Sequence, residues 1–354
     1  MPIPPTDEER PKTDVLAAGA AASSESTAPA GPPVEPASPW WAPVARNRNL
    51  IVPIASLAAL ILYFGVRNSA FLSVASAQNI SRQLAFISVL AMAGTFVILI
   101  GGIDLSVAAN ATLAGILVAT WIDDLGGPLA IALTILVCGG VGFVNGAVTI
   151  TFRVPSFLVT LGMLSVLDGV SNTISGGGPV SFRSSVLSTL VNRKAIPGIP
   201  NGALIAVGLT IVLSIVAFGT TFGRHVYAVG GNERAARLAG VPVRAVRLAV
   251  FSIAGMLAGV AGVIFTGQAS VGVPEGAGPS LLNSIAAIVV GGTALSGGVG
   301  GPHRTLLGAL VIVILGSGMD ITSIGPYTQL VVKGVVVIVA VALTIDRRRY
   351  GVIK

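Results

Sequence analysis

Long apolar segments dominate this chain and limit the folds available to it. About ten of them are long enough, or nearly so, to cross about 30 Å of hydrocarbon as helices. They cover approximately residues 50–66, 84–100, 106–122, 128–150, 157–174, 203–218, 248–265, 282–296, 305–319 and 330–345. Backbone polar groups must be hydrogen-bonded internally in lipid, which helices achieve. The sequence therefore predicts an all-α polytopic membrane protein with about ten transmembrane helices.

Composition supports this class and argues against others. Hydrophobic residues make up 53% of the 354, and charged residues only 10%, whereas soluble chains carry charge at about a quarter of their positions. The net charge of +7 does not indicate nucleic-acid binding, because the basic residues flank apolar segments. Cys138 lies inside such a segment, and neither His225 nor His303 has metal-ligating neighbours in the sequence. We expect a lipid bilayer as partner, no nucleic acid, no metal and no cofactor.

The basic residues also predict the topology. Ten spans place both termini on one side of the membrane. If that side is the inside, 15 of the 21 basic residues also lie inside. The positive-inside rule therefore favours cytoplasmic N- and C-termini. Residues 1–45 hold 10 of the 21 prolines and 6 of the 14 acidic residues. We predict a disordered Pro/Ala/Ser-rich cytoplasmic tail over 1–45 and a transmembrane domain over 46–350.

A short capped helix is predicted within the cytoplasmic loop 219–247. Asn232 is a good N-cap, and Glu233 lies in the first turn, where the helix dipole favours an anion. Gly240 is placed to end the helix, and Pro242 prevents its continuation. A basic loop that only fixes topology is the alternative. It accounts for the charge but not for the defined start, stop and small-residue face.

Two carboxylates and three amides lie in or beside the predicted spans. Asp104 either caps the third helix or helps to form an inner gate. Asp168 lies roughly 17 Å into the fifth span, beyond the midplane toward the periplasm. It either offers a carboxylate to a substrate in the pathway or pairs with a neighbouring helix. Three amides in the spans could likewise line the pathway or form hydrogen bonds between helices, and hydrogen bonding is the commoner use of such residues. They are Asn110, Asn145 and Asn172.

A weak internal repeat links residues 101–106, Gly-Gly-Ile-Asp-Leu-Ser, with residues 291–296, Gly-Gly-Thr-Ala-Leu-Ser. Each copy follows an apolar segment and is predicted to open a cytoplasmic turn. Internal repeats are frequent in transporters, although a match this short in a Gly-rich chain also arises by chance.

Four motifs together resemble the ribose-type permeases of bacterial ABC importers, and the resemblance covers about residues 50–350. They are Gly-Gly-Ile-Asp-Leu-Ser-Val at 101–107, Ala-Val-Gly-Gly-Asn-Glu-Arg-Ala-Ala-Arg-Leu-Ala-Gly-Val at 228–241, Ala-Ile-Val-Val-Gly-Gly-Thr-Ala-Leu-Ser-Gly-Gly at 287–298 and Asp-Arg-Arg-Arg at 346–349. The resemblance implies the ABC importer permease fold in the bacterial inner membrane. It also implies import of a monosaccharide-type sugar by alternating access.

The resemblance further implies the partners. These are cytoplasmic ABC ATPase subunits, a periplasmic or lipid-anchored sugar-binding protein, and a second permease copy, identical or different. The helix in loop 219–247 would couple to the ATPase through Gly230, Asn232, Glu233, Ala235, Ala236, Arg237 and Gly240. The 354 residues contain no G-x-x-x-x-G-K-[ST] motif, so we expect no ATPase site and no catalytic residues here.

Other functions remain open at this point. A branched-chain amino-acid permease shares the architecture, but a zwitterionic substrate would need charged contacts, which are scarce in the spans. An ion-coupled secondary transporter would usually show several intramembrane carboxylates. A membrane enzyme would need a convergent set of acid, base and nucleophile. Asp168 also departs from the arginine that related permeases often carry before Gly169, which leaves the substrate undecided.

Overall fold

The structure is a computed structural model that describes residues 42–344, with side chains described from 51 to 342. The predicted tail up to residue 41 and the basic C-terminus from residue 345 lie outside the described residues. Within them the chain forms thirteen α-helices and one 3-10 helix, Ser69–Leu72. The helices are α1 (Ala42–Arg67), α2 (Val74–Leu99), α3 (Val107–Leu125), α4 (Gly127–Phe152), α5 (Ser156–Ser175), α6 (Val186–Asn192), α7 (Asn201–Gly219), α8 (Thr221–Gly231), α9 (Glu233–Leu238), α10 (Val243–Ala269), α11 (Ser280–Val290), α12 (Pro302–Ile321) and α13 (Pro326–Thr344).

The all-α class is confirmed, since residues 42–344 contain helices and no named strand. Each of the apolar segments predicted from the sequence coincides largely with one helix. Six helices are both long and apolar enough to cross a membrane: α2, α4, α5, α7, α10 and α12. The apolar parts of α1, α11 and α13 are shorter. The chain is thus a multi-pass membrane protein, with six candidate spans.

Several predicted boundaries differ from the helix ends, and two of them have a clear local cause. The eighth segment was predicted over 282–296, but α11 ends at Val290. Gly292 turns the backbone into the left-handed region, φ +83°, which ends the helix. Helix α2 begins at Val74, well before residue 84, because the Ser73 hydroxyl accepts a hydrogen bond from the Ser76 amide at 3.2 Å. Its first turns are polar, so hydropathy does not reveal them.

The core forms around α2 and α10. Helix α10 packs against α2, α3 and α4, and α2 is buried continuously from Ala85 to Leu99. A Cβ at Gly142 would lie 2.1 Å from the Phe251 carbonyl oxygen, and one at Gly255 would lie 2.2 Å from the Cys138 carbonyl oxygen. The backbones of α4 and α10 therefore touch, as small residues allow in membrane proteins. Cys138 is fully buried in this packing.

Contacts between loops define two ends of the described helices. At the glycine-turn end, which consists of turns 100–106 and 291–301 together with α8 and α9, the Gly298 amide donates to the Leu99 carbonyl at 2.9 Å. At the long-loop end, which consists of loops 176–200 and 270–279, Val180 and Gly272 form an antiparallel bridge. These contacts fix which loops share an end without reference to a membrane.

Both copies of the predicted internal repeat form turns at the glycine-turn end, but their alignment is one residue out. In the first, the Gly101 amide donates to Ile98; in the second, the Gly292 amide donates to Val289. Gly101 and Gly292 are also the left-handed residues, with φ +74° and +83°. The backbone geometry therefore makes Gly101 equivalent to Gly292, whereas the sequence alignment of the two copies pairs Gly101 with Gly291. The two turns are similar and adjacent, yet the six-letter match is not their structural register.

Candidate functional site

The predicted short helix is present, and Asn232 begins it. The Asn232 side chain accepts a hydrogen bond from the Ala235 amide at 3.0 Å, which confirms the predicted N-cap. Gly240 has φ +82° after the helix end, as expected of a residue that stops it. The helix, α9, is shorter than predicted by about one residue. It is preceded by α8, which was not foreseen and whose N-terminus is capped by the Thr220 hydroxyl, accepting from the Gly223 amide at 3.1 Å.

Helix α9 is fixed to α10 by a shared carboxylate. Glu233 pairs with Arg247 on α10 at 2.5 Å and with Arg237 on its own helix at 2.7 Å. Ala236 is only 5% exposed and packs inward, whereas Leu238 is 84% exposed. The predicted small-residue face is thus divided between a buried side and an open side. The open side suits contact with another molecule, and the buried side ties α9 to the rest of the chain.

Gly230 places the end of α8 against two other segments. A Cβ at Gly230 would lie 1.8 Å from the Leu99 carbonyl oxygen and 2.6 Å from the Gly298 amide nitrogen. Only glycine allows this approach. Nearby, the Tyr227 hydroxyl donates to the Gly300 carbonyl at 2.8 Å. Partial burial raises the pKa of Tyr227 to about 12. A movement of α9 would therefore reach the end of α2 and the turn before α12.

Next to α9 lies a cavity of about 710 Å³. Its walls come from the turn after α2, the α4–α5 junction, α9 and the start of α10. Its charged lining residues are Arg153, Glu233, Arg237, Arg244 and Arg247. The sequence predicts only a topological role for Arg153, Arg244 and Arg247, as basic residues on the inner side. Arg153 lies about ninety residues before the other two, so no spacing connects it with them. Their clustering depends on how α10 packs against α4.

Asp104 organises the residue that precedes α3. Its Oδ1 accepts hydrogen bonds from the Ser106 amide at 2.8 Å and from the Ser106 hydroxyl at 2.7 Å. The Asn145 amide of α4 also donates to the Ser106 hydroxyl, at 2.9 Å. Asp104 is 7% exposed. It therefore positions the N-cap residue Ser106 and does not itself receive amides of the first turn of α3; a gate role stays a prediction.

Asn110 and Asn145 are both buried between helices. The Asn110 amide donates to the Cys138 carbonyl of α4 at 3.2 Å, so it links α3 to α4. Each side chain nevertheless has an oxygen that is buried without a hydrogen-bond partner within the described residues. These positions fit interhelical hydrogen bonding. A pathway role for either residue stays a prediction.

Asp168 and Asn172 lie apart from these groups, on α5. The Asn172 amide donates to the main-chain carbonyl of Asp168 at 2.9 Å, and the Asp168 side chain is partly exposed. Glu275, in the loop between α10 and α11, is near enough for its charge to act on the Asp168 carboxyl. Sequence reasoning missed Glu275, since it lies outside every predicted span. The structure thus brings Asp104 and Asn145 together and leaves Asp168 with Asn172 in a separate region.

The described side chains of residues 51–342 include no group of three His, Cys, Asp or Glu that could hold a metal ion. The site therefore consists of hydrogen bonds between buried polar side chains, the short helix α9 and the arginine-lined cavity beside it.

A family model described as branched-chain amino acid transport system / permease component matches residues 76–341, which is more than half of the chain. The chain belongs to this permease family. It is therefore a multi-pass membrane protein that serves as a transport subunit, a permease.

Several curated proteins are similar to the permease over most of its length. The ribose import permease protein of Bacillus subtilis (strain 168) is 36% identical over 299 residues, covering 84% of this chain and 92% of that protein. The ribose import permease protein of Escherichia coli (strain K12) is 33% identical, with 81% and 91% covered. The xylose transport system permease protein of the same strain is 30% identical, with 83% and 91% covered. No solved structure matches the permease significantly.

Proposed function

We propose that this permease is the membrane subunit of an ATP-binding-cassette importer that moves a monosaccharide-type sugar across the bacterial inner membrane. The observation that carries the proposal is α9, a short helix with one open side, fixed to α10 through Glu233 and Arg247. The ribose and xylose permeases among its relatives support the sugar. A separate cytoplasmic ATPase would supply the energy, a periplasmic or lipid-anchored binding protein would deliver the sugar, and a second permease copy would complete the pathway.

The contacts at the two ends support ten crossings with both termini in the cytoplasm. At the long-loop end, the Arg183 amide donates to Asp123, and the Lys194 ammonium donates to Gln78 at 2.9 Å. All four residues belong to segments that the ten-span topology places outside. Among the described residues, the glycine-turn end and the segments beside it (the α4–α5 junction and the first turns of α10 and α12) carry seven arginines against two carboxylates, Asp104 and Glu233. The positive-inside rule assigns such an end to the cytoplasm.

The proposed coupling runs through packed backbone. The open side of α9, with Arg234, Ala235 and Leu238 exposed, would contact the ATPase. A push on α9 would pass to α10 through the Glu233–Arg247 ion pair and to α2 through the contact of Gly230 with Leu99. Packed interfaces transmit such movements as units. Alternating access would follow from the shift of α2 and α10, which form the core.

The proposed pathway lies between two permease copies, beside α5. Most of α5 is not buried within one copy: among its outward large residues are Leu161, Val166 and Val170. Asp168 and Asn172 are on this helix, so their polar groups are available to sugar hydroxyls. Few charged contacts line it, which suits a passage that binds its cargo weakly.

The test is reconstitution of the permease with its ATPase and binding protein, followed by a ligand screen. We expect pentoses or related sugars to stimulate ATP hydrolysis and uptake. Branched-chain amino acids are the second set of ligands to screen, since the family description names them; stimulation by them and not by sugars would replace the proposed substrate. Uptake driven by an ion gradient without ATPase would overturn the importer proposal.

A further inference from the structure

Positive charge is concentrated in the cavity next to α9. Four arginines line its volume of about 710 Å³, together with a single carboxylate, Glu233. The arginines come from three different places: Arg153 follows α4, Arg237 is on α9, and Arg244 and Arg247 are on α10. Like charges brought together in one concave site repel one another and attract an anion.

The described residues do not balance this charge. Glu233 is shared between Arg237 and Arg247. Within residues 51–342, Arg153 and Arg244 are in no ion pair with Asp or Glu. The Nε of Arg247 is buried and has no hydrogen-bond partner among the described residues. A buried donor without a partner costs free energy, and a bound anion would accept its hydrogen bond.

A buried hydroxyl in the wall of the same cavity is also without a partner. Thr149 lines the cavity and is only 6% exposed. Its Oγ1 makes no hydrogen bond within the described part of the chain. Arginine forks and hydroxyl donors are the groups that recognise phosphate oxygens. The combination of guanidinium groups and a buried hydroxyl therefore favours a phosphate over a simple halide.

We propose that this cavity binds a phosphate group, held by Arg153, Arg244 and Arg247 with help from Thr149. The phosphate has two possible sources, the headgroup of an anionic phospholipid and free phosphate in solution. Apolar residues of the α4–α5 junction form one wall, including Ile150, Val154 and Phe157. Phe152 beside them is 70% exposed, so acyl chains have an apolar surface to follow. Basic pockets between membrane helices bind anionic headgroups in this way.

The experiment uses the purified full chain without its partners, in neutral-lipid nanodiscs. One arm adds phosphatidylglycerol and counts retained lipids by native mass spectrometry; the other adds inorganic phosphate or pyrophosphate and measures binding by calorimetry. The test variant carries Arg153→Gln and Arg244→Gln. The matched control carries Arg183→Gln and Arg193→Gln, two exposed arginines at the long-loop end.

We expect the test variant to weaken binding about tenfold or more, since two charge-assisted hydrogen bonds are lost, and the control to leave it unchanged. Thr149→Val, which is nearly isosteric, should weaken it about threefold, on the order of one neutral hydrogen bond. Thermal unfolding should be similar for the test variant and the matched control, because all four substituted arginines are exposed. Loss in the lipid arm identifies a headgroup, and loss in the phosphate arm identifies free phosphate.

Three results would overturn the proposal. In the first, neither probe binds the wild-type chain. In the second, the test variant and the matched control bind the probes equally well. In the third, phosphate binding by the test variant is unchanged while a separate pull-down of the ATPase by the same variant is weakened, which would assign the arginines to acidic side chains of that partner.

Discussion

Glu233 on α9 and Arg247 on α10 form an ion pair of 2.5 Å that links the short helix to the core of the permease. Replacing Glu233 with Gln keeps the Asn232 cap but removes the charge that holds both arginines. We expect transport in the assembled importer to fall severalfold while ATP hydrolysis persists, because α9 would no longer move with α10. The cost in stability should be small, about 1 kcal/mol, since the pair is partly exposed. Uptake and hydrolysis measured on the same preparation check this.

Arg237→Gln is the matched control. Arg237 bonds the same carboxylate at 2.7 Å, but it lies on α9 itself and its side chain is 69% exposed. Such pairs contribute about 0.3–0.5 kcal/mol. Since Arg237 is also a predicted coupling residue, we expect a smaller loss of coupling than in Glu233→Gln. An equal loss in both variants would assign the effect to charge near α9 and not to its link with α10.

Gly230 and its neighbour Gly231 provide a second matched comparison. A Cβ at Gly230 would lie 1.8 Å from the Leu99 carbonyl oxygen, whereas one at Gly231 would meet nothing within 4 Å. Gly230→Ala must displace backbone, so we expect destabilisation of about 3 kcal/mol or more. Gly231→Ala should be neutral or slightly stabilising. Thermal unfolding in detergent measures both, and similar unfolding temperatures would show that the α8–α2 contact is looser than the structure has it.

Local signals explain what could be predicted from the sequence. Apolar segments of helical length predicted the all-α fold. Asn232 and Gly240 predicted where α9 begins and ends, because helix caps depend on a few neighbouring residues. The predicted end of α11 was wrong because the mean hydropathy of 282–296 is insensitive to the two glycines within it. Backbone conformation at Gly292 decided the boundary.

Contacts between distant segments could not be predicted. Arg153 and Arg247 line one cavity although they lie almost a hundred residues apart, and no periodicity connects them. Glu275 acts on Asp168 from a loop outside the predicted spans. The one-residue shift that pairs Gly101 with Gly292 depends on main-chain hydrogen bonds, which similar letters do not determine.

Tyr227 should make stability depend on alkaline pH. Its hydroxyl donates to the Gly300 carbonyl, and burial raises its pKa to about 12, above the value near 10 of an unfolded chain. The neutral phenol is thus favoured in the folded state, so its contribution is complete below pH 10 and is lost as the pH rises from 10 to 12. Tyr227→Phe should lower stability by about 1 kcal/mol at neutral pH and flatten the decline above pH 10.

Unfolding temperature against pH measures this effect. Tyr327→Phe is the control, because Tyr327 is 85% exposed and should leave the curve unchanged. The stacking of residue 227 on Phe218, with centroids 5.7 Å apart, is retained in Tyr227→Phe, so the comparison isolates the hydroxyl. A decline in Tyr227→Phe as steep as that of the wild type would show that other groups cause it.

Substitution of Asp168 tests whether this residue takes part in transport or only in helix packing. Its carboxylate makes no side-chain hydrogen bond or ion pair within the described residues, and its side chain is partly exposed on α5. Asp168→Asn keeps the shape and removes the charge, so the free energy of unfolding should change by less than about 0.5 kcal/mol. We expect sugar uptake to change severalfold, since the carboxylate would no longer accept hydrogen bonds as an anion.

Glu275→Gln is the comparison for Asp168→Asn. Glu275 acts on Asp168 through charge, so its substitution should shift uptake in the same assay by a smaller factor. The double variant should then resemble Asp168→Asn, because the interaction requires both carboxylates. Unchanged uptake with unchanged stability in Asp168→Asn would remove the residue from the pathway. A large loss of stability would instead assign its carboxylate to packing between helices.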